Sequence, residues 1–348
     1  MERQQGSLSE RKAALLRALV RHYIRTGEPV GSEALAAASG LHVSSATIRN
    51  DLAALEELGY LTQPHTSAGR APTDLAYRLY VDMLPSRTKL RDAERRAIVT
   101  FFDEALADVD EILRGTTQLL SRLTRYASLA FAPSVGESSI VRSELIGLGS
   151  ATLLLVVFGT GRVEKRVIEA PPGASEDVLE RVSRTMMQAF RGKTLGEARV
   201  EAEERTKVAS GDERVLLERA GEALRSMEDA PDSEHVVMGG VSNIASEEGF
   251  NRRDTLRQVY EALERESAML GLLREAAAIS PVSVSIGHEN PIPGMWEASV
   301  VAAPYAAGGG TVGTIGVVGP MRMDYAAAIS AVRAVADRLS AAVEALRT

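Results

Sequence analysis

SSATIRNDLAALEELGYLTQPHTSAGRAPT, residues 44–73, has the patterning of a capped helix, a tight turn, a strand and a loop. Ser44 or Ser45 can cap a helix, because a hydroxyl satisfies amide protons left free in the first turn. Ile48, Leu52, Leu55 and Leu58 then recur at helical spacing and predict one apolar face. The opposite face carries Ala46, Asn50 and Ala53, flanked by Thr47 and Arg49. A face that small and polar can enter a major groove, where Asn pairs with adenine edges and Arg with guanine or phosphate. Gly59 predicts a left-handed helix end. Tyr60 to Gln63 can form a short strand and Pro64 to Pro72 a loop. Within that loop His65, Thr66, Ser67 and Arg70 are bounded by prolines, as suits a wing lying along a backbone or minor groove. Arg70 is singled out, since a narrow minor groove attracts arginine. Asp51 and Glu56 would repel phosphate and are expected to face sideways, paired with neighbours.

The residues before this stretch complete the unit. Leu8 to Tyr23 places Leu15, Leu16, Leu19, Val20 and Tyr23 on one side of a first helix. Its outer face carries Arg11, Lys12, Arg17, Arg21 and Arg25. After the loop at 27–31, Ser32 can cap a second helix, Glu33 to Ser39, which stops at Gly40. Helix, helix, turn, helix, strand, wing is the order of a winged helix-turn-helix. The residues expected to meet DNA are Arg17, Arg21, Ser45, Ala46, Thr47, Arg49, Asn50, Ala53, His65, Thr66, Ser67 and Arg70. The competing reading is a small helical domain with a solvated basic face.

The composition sets outer limits. At 348 residues there is room for two or three domains, and 45% hydrophobic content suffices for packed cores. No apolar run approaches the roughly 18 residues of a membrane span, and no secretory signal follows the polar N-terminus. The absence of cysteine excludes disulfides, thiol catalysis and zinc–thiolate fingers, and suits a cytoplasmic life. The net charge of −7 argues at first against a nucleic-acid partner. Residues 1–85, however, hold nine Lys/Arg and nine Asp/Glu, so the acidic excess lies beyond them. A local basic face on an acidic protein can still meet phosphate.

Further along, the patterning divides the chain at 1–83 (winged unit), 84–106 (linker and connecting helix), 107–171 (first part of a sheet domain), 172–245 (insert) and 246–348 (second part). Leu84 to Thr88 reads as linker, preceded by a short helix from Thr73 to Met83. Leu90 to Phe102 and Val109 to Leu129 read as helices. Ser143–Leu148, Thr152–Phe158 and Val163–Ile168 read as strands. Charged helical segments follow, at Asp177–Phe190 and Glu213–Glu228, then one long helix over Asn251–Ala278. Strands return at Val282–Ile286, Ala298–Ala303 and Thr311–Val318, and a final helix spans Tyr325–Leu346. A strand block, a helical block and a second strand block predict one sheet domain interrupted by an insertion.

Other constellations point to simple structure. The glycine run at 308–313 lacks the lysine of a P-loop and opens no helix, so a hairpin turn fits better. His288-Glu289-Asn290 follows a strand and precedes Pro291, which suits a structured turn over a metal site. His22, His42, His65 and His235 show no ligand spacing, and no G-x-S-x-G nucleophile motif occurs. In the segment 319–325, Gly-Pro breaks a strand and Asp324 can cap the final helix. No residue requires a cofactor, and Trp296 lies outside the winged unit.

TGEPVGS at 26–32, SSATIRNDLAALEELGYL at 44–61 and PHTSAGRAPTDLAYRLYVD at 64–82 resemble the HrcA family of bacterial heat-shock repressors. IGHEN at 286–290, SVV at 299–301 and GTIGVVGPMRMDY at 313–325 resemble the same family at the other end of the chain. Helices similar to ATIRNDL also occur in DeoR-type repressors, which continue with a different wing. The resemblance implies an α+β protein: an N-terminal winged helix-turn-helix, then a GAF-like α/β domain interrupted by a mainly helical dimerisation insert. It further implies a cytoplasmic homodimer on an inverted-repeat operator, the CIRCE element, upstream of chaperone operons, kept active by the chaperonin GroEL. Two other functions compete. One is a winged-helix repressor whose GAF-like domain senses a metabolite. The other is an enzyme fused to a DNA-binding unit, for which no catalytic constellation speaks.

Overall fold

The computed structural model describes residues 8–38, 40, 43–64, 69–85, 90–103, 109–132, 138–149, 151–159, 161–171, 174–229, 235–246, 250, 253–277, 281–307 and 310–346. The N-terminal unit comprises α1 (Glu10–Thr26), α2 (Ser32–Ala38), α3 (Ser45–Glu57), β1 (Leu61–Thr62), β2 (Ala71–Pro72) and α4 (Asp74–Asp82). Ser44 is the cap of α3, and its hydroxyl accepts the Thr47 N–H at 3.2 Å. At the other end Gly59 takes φ +79°. Its N–H donates to Glu56 O and the Tyr60 N–H donates to Leu55 O, both at 2.9 Å. These are the paired bonds of a Schellman stop, and they require a residue that tolerates a left-handed backbone. Leu15, Leu16, Leu19, Val20, Ile48, Leu52 and Leu55 are buried together. Each such side chain contributes about 1.5–3 kcal/mol relative to exposure. Leu58 departs from the expected apolar face: it lies past the last helical turn and is 53% exposed. Ser39, His42 and the linker residues Ser86, Arg87 and Thr88 lie outside the described residues.

The loop expected at 64–72 contains β2, which pairs antiparallel with β1 (Leu61 opposite Pro72). Arg70 also bridges Val30, with N–H···O contacts of 2.8 and 2.9 Å in the two directions. Gly69 is obligatory at this crossing, because a Cβ there would sit 2.4 Å from the Val30 carbonyl carbon.

The GAF-like domain opens with α5 (Asp92–Asp103), α6 (Val109–Thr124) and β3 (Ala127–Ala132). The single helix expected over 109–129 is thus a helix and a strand. No glycine or proline marks the stop; Arg125 turns the chain in the left-handed region at φ +63°. The insert follows as β4 (Ile140–Leu148), β5 (Ala151–Phe158), β6 (Val163–Glu169), α7 (Glu176–Phe190), α8 (Leu195–Val208) and α9 (Gly211–Asp229). The chain returns through β7 (His235–Gly239), α10 (Ser242–Ser246), α11 (Arg253–Glu264) and α12 (Glu266–Ala277). It ends with β8 (Ser283–Ile286), β9 (Ala298–Ala307), β10 (Gly310–Pro320) and α13 (Tyr325–Leu346). The long helix expected over 251–278 is broken at Arg265 into α11 and α12. The short strand β7 and the helix α8 were not anticipated from the sequence.

Strand order in the main sheet is β7-β3-β10-β9-β8, antiparallel throughout. Helices α6 and α13 cover one face and α12 the other. The connecting helix α5 also packs on α6 and α13, with Ile98 buried, so it belongs to this domain. The core under α6 and α13 runs without interruption into the winged unit through Tyr77 and Tyr80 of α4.

The expected boundary between sheet domain and insert, at 171/172, is displaced. Strands β4, β5 and β6 form a separate three-stranded sheet whose core is shared with α7, α8 and α9. The insert therefore comprises 140–229, and β7 belongs to the main sheet. On β5 the side chains alternate: Thr152, Leu154, Val156 and Phe158 are buried, whereas Ala151, Leu153, Leu155 and Val157 are half-buried on the other face. Leu153 is flanked on that second face by Ile146 and Val167, both exposed. A half-buried sheet face normally alternates apolar with polar; here both faces of the central strand are apolar.

Candidate nucleic-acid interface

Five of the six recognition-helix residues singled out in the sequence, Ser45, Ala46, Arg49, Asn50 and Ala53, are exposed on α3. Thr47 is half-buried, its hydroxyl 2.9 Å from that of Ser44, so it supports the cap. Arg17 and Arg21 are exposed on α1. His65, Thr66 and Ser67 lie outside the described residues.

Two of the three acidic residues of α3, Asp51 and Glu56, are paired with neighbours, as the sequence suggested. Asp51 is buried and accepts two bonds from Arg11, Nε to Oδ2 at 2.8 Å and Nη2 to Oδ1 at 3.0 Å. That fork ties α1 to α3 and removes Arg11 from the basic stripe of α1. Glu56 lies 2.8 Å from Arg70 Nε, an ion contact without hydrogen-bond alignment. The Arg70 side chain is 22% exposed. Arg70 is thus held at the root of the wing against α3, and a minor-groove role would require it to leave Glu56. Arg21 lies beside Tyr80 of α4 and faces the C-terminal domain.

A second set of residues lies apart from the expected DNA contacts. They join the winged unit to the main sheet. Asp74 of α4 accepts the His288 backbone N–H at 3.0 Å and lies 2.8 Å from His288 Nδ1. The His288 ring stacks on Trp296 with centroids 4.8 Å apart. Arg78 donates Nε to Glu289 Oε1 at 2.8 Å, with a second bond from Nη2 to Oε2, and Nη2 also reaches Val284 O. The ion pair and hydrogen bonds to Glu289 raise the Arg78 guanidinium above its ordinary value, fixing it as a cation. Tyr77 and Tyr325 are buried against one another, centroids 6.0 Å apart. Gly287 takes φ +53°, and a Cβ there would meet Asp74 Oδ2 at 2.3 Å, so both backbone and space call for glycine. Asp324 caps α13 by accepting the Ala327 N–H at 3.0 Å, and its own N–H donates to Tyr126. The signal for this junction was present: segments 64–82, 286–290 and 319–325, far apart in the chain, all contribute to it.

Among the described residues no His, Cys, Asp or Glu cluster could hold a metal ion, and no helix is long and apolar enough to cross a membrane. Residues 110–329 match the family model described as the HrcA protein C-terminal domain, and residues 30–72 match a DeoR-like helix-turn-helix domain. The heat-inducible transcription repressor HrcA of Thermobifida fusca is 46% identical over 330 residues, 94% of this chain and 95% of that protein. The chain belongs to the HrcA family. The HrcA of a Nocardioides species is 40% identical over 338 residues, 95% of this chain and 97% of that protein. A solved structure described as a hypothetical protein superposes with TM-score 0.70 at 26% identity, covering 98% of this chain and all of the other. HrcA proteins are named as heat-inducible transcription repressors, a regulatory and not an enzymatic family, and the helix-turn-helix match over 30–72 gives this member a DNA-binding domain.

Proposed function

We propose that the chain represses chaperone operons by binding an inverted-repeat CIRCE operator as a homodimer, with GroEL as the modulating partner and the cytoplasm as its location. The observation that carries the DNA reading is the outer face of α3. Ala46, Asn50 and Ala53 keep the approach to the groove free of bulk, while Asn50 supplies a bidentate amide for adenine. Arg49 lies on the same exposed side, and Arg17 on α1 is available to phosphate. GroEL enters through the family resemblance alone.

The dimer reading draws support from the insert. Its helices bury most of their apolar side chains in the insert's own core, leaving Val200, Val208 and Val215 exposed. On the outer face of β4–β6 the row Ile146–Leu153–Val167 is apolar and uncovered, with Glu144 and Lys165 beside Leu155 at its border. A second copy applying the same face would bury that row by two-fold symmetry.

Asn50→Ala is the direct test, because Asn50 is exposed and its removal leaves Ile48, Leu52 and Leu55 untouched. Operator affinity should fall by about 1–3 kcal/mol with a scrambled duplex nearly unaffected. Fluorescence anisotropy on both duplexes reads the difference. An equal loss on both would reassign Asn50 to the backbone, and no loss on either would remove it from the interface.

A further inference from the structure

A cleft of about 530 Å3 lies between the C-terminal half of α1 and the start of α13. Three arginines line it: Arg21, hydrogen-bonded to Tyr80, and Arg25, one turn apart on α1, and Arg322 from the strand-to-helix junction of the main sheet. Arginines elsewhere on the molecule commonly sit within ion-pair distance of a carboxylate, as Arg11, Arg78, Arg91, Arg184 and Arg199 do. Arg21, Arg25 and Arg322 form no salt bridge among the described residues. The one carboxylate in the cleft, Asp324, is engaged in capping α13. Arg322 lies over Gly27 at the C-terminus of α1, whose dipole offsets only a fraction of its charge. The walls include Tyr80 and Tyr126. Three guanidinium groups facing one concavity repel one another, and a multiply charged anion relieves that repulsion through charge-assisted, bidentate bonds.

We propose that this cleft, where Arg21 and Arg25 of α1 meet Arg322 of the GAF-like domain, is a binding site for a small, multiply charged phosphate compound. The volume falls within the range of small-molecule pockets and exceeds what one phosphate group fills, and the tyrosine walls suit an organic portion. At about 530 Å3 the cleft admits a small ligand and is far too small to seat a duplex. The ligand would bridge the two domains, so its occupancy would couple to the orientation of the winged unit. This site is separate from the α3 face and does not depend on which operator that face reads.

Calorimetric titration of the full-length protein with inorganic pyrophosphate, at fixed ionic strength against a sodium chloride control, tests the assignment. Saturable binding at one site per chain is expected, weakened about ten-fold or more in Arg25→Ala and in Arg322→Ala. Arg25 is exposed and its side chain makes no bond among the described residues, so its variant should fold normally even if Arg322→Ala is impaired. Absence of saturable binding at millimolar pyrophosphate, or binding unchanged in Arg25→Ala, would overturn the proposal. A parallel titration with duplex DNA over a range of salt separates the two sources of phosphate. An unchanged salt slope in Arg25→Ala supports a free ligand. A slope shallower by about one unit would assign the arginine to the DNA backbone and overturn it.

Discussion

Replacing Ile146 and Val167 together with aspartate should turn the dimer into a monomer and cut operator affinity by roughly 10²–10⁴-fold, the range lost when two linked binding events become independent. Both side chains are exposed on the outer face of the insert sheet, 39% and 67% respectively, so the fold does not depend on them. Between them lies Leu153, and like charges placed on either side of it would oppose each other across any two-fold contact. Sedimentation velocity gives the mass and anisotropy gives the affinity. A variant that remains dimeric would move the dimer contact off this face, and a monomer with undiminished operator affinity would break the link between dimerisation and repression.

Tyr325→Ala should be the most damaging single change to stability, about 3–5 kcal/mol in urea unfolding. Tyr325 is fully buried where the first turn of α13, the end of β10 and α4 converge. Its hydroxyl donates to Met321 O at 2.6 Å and lies 2.7 Å from Ser299 Oγ. Tyr325→Phe keeps the ring and loses only these bonds, so a cost nearer 1–3 kcal/mol is expected from the stranded acceptors. Burial raises the Tyr325 and Tyr77 phenols above the ordinary 10.0, desolvation being the largest cause in both. The unfolded chain releases these protons above about pH 10 while the native state retains them, so stability present at neutral pH should decline as pH rises past that point. The decline should be smaller in Tyr325→Phe. An equal alkaline slope in the two proteins would exclude Tyr325 as its source.

The winged unit was legible in the sequence because each of its signals is local. A serine cap, three leucine or isoleucine positions and Gly59 fix α3 within a few residues of chain. The final helix, Tyr325–Leu346, was legible for the same reason. The end of α6 was not, since Arg125 adopts a conformation that glycine usually advertises. Strand β7 was hidden because five residues between charged segments give too short a period to detect. The insert boundary was misread because β4–β6 and the strands of the main sheet have the same apolar composition, and only pairing partners distinguish them. At the interface the outward face of α3 followed from helical geometry, whereas the fate of Arg11, Arg21 and Arg70 depended on where distant side chains lie. The Asp74–His288 and Arg78–Glu289 contacts span more than two hundred residues, beyond any local pattern.

Strand β3 ends at Ala132 and β7 begins at His235, and these two residues face each other in one antiparallel ladder. Topologically, β3 and β7 are the arms of an ordinary hairpin, and everything between residues 132 and 235 is its loop. The ladder runs from Ser128 opposite Gly239 to Ala132 opposite His235. A chain in which a tight turn replaced it would keep the main sheet's strand order intact. The surface proposed to pair two copies can thus be lost or exchanged in evolution as a unit, without rewriting the sheet that orients the DNA-reading helix.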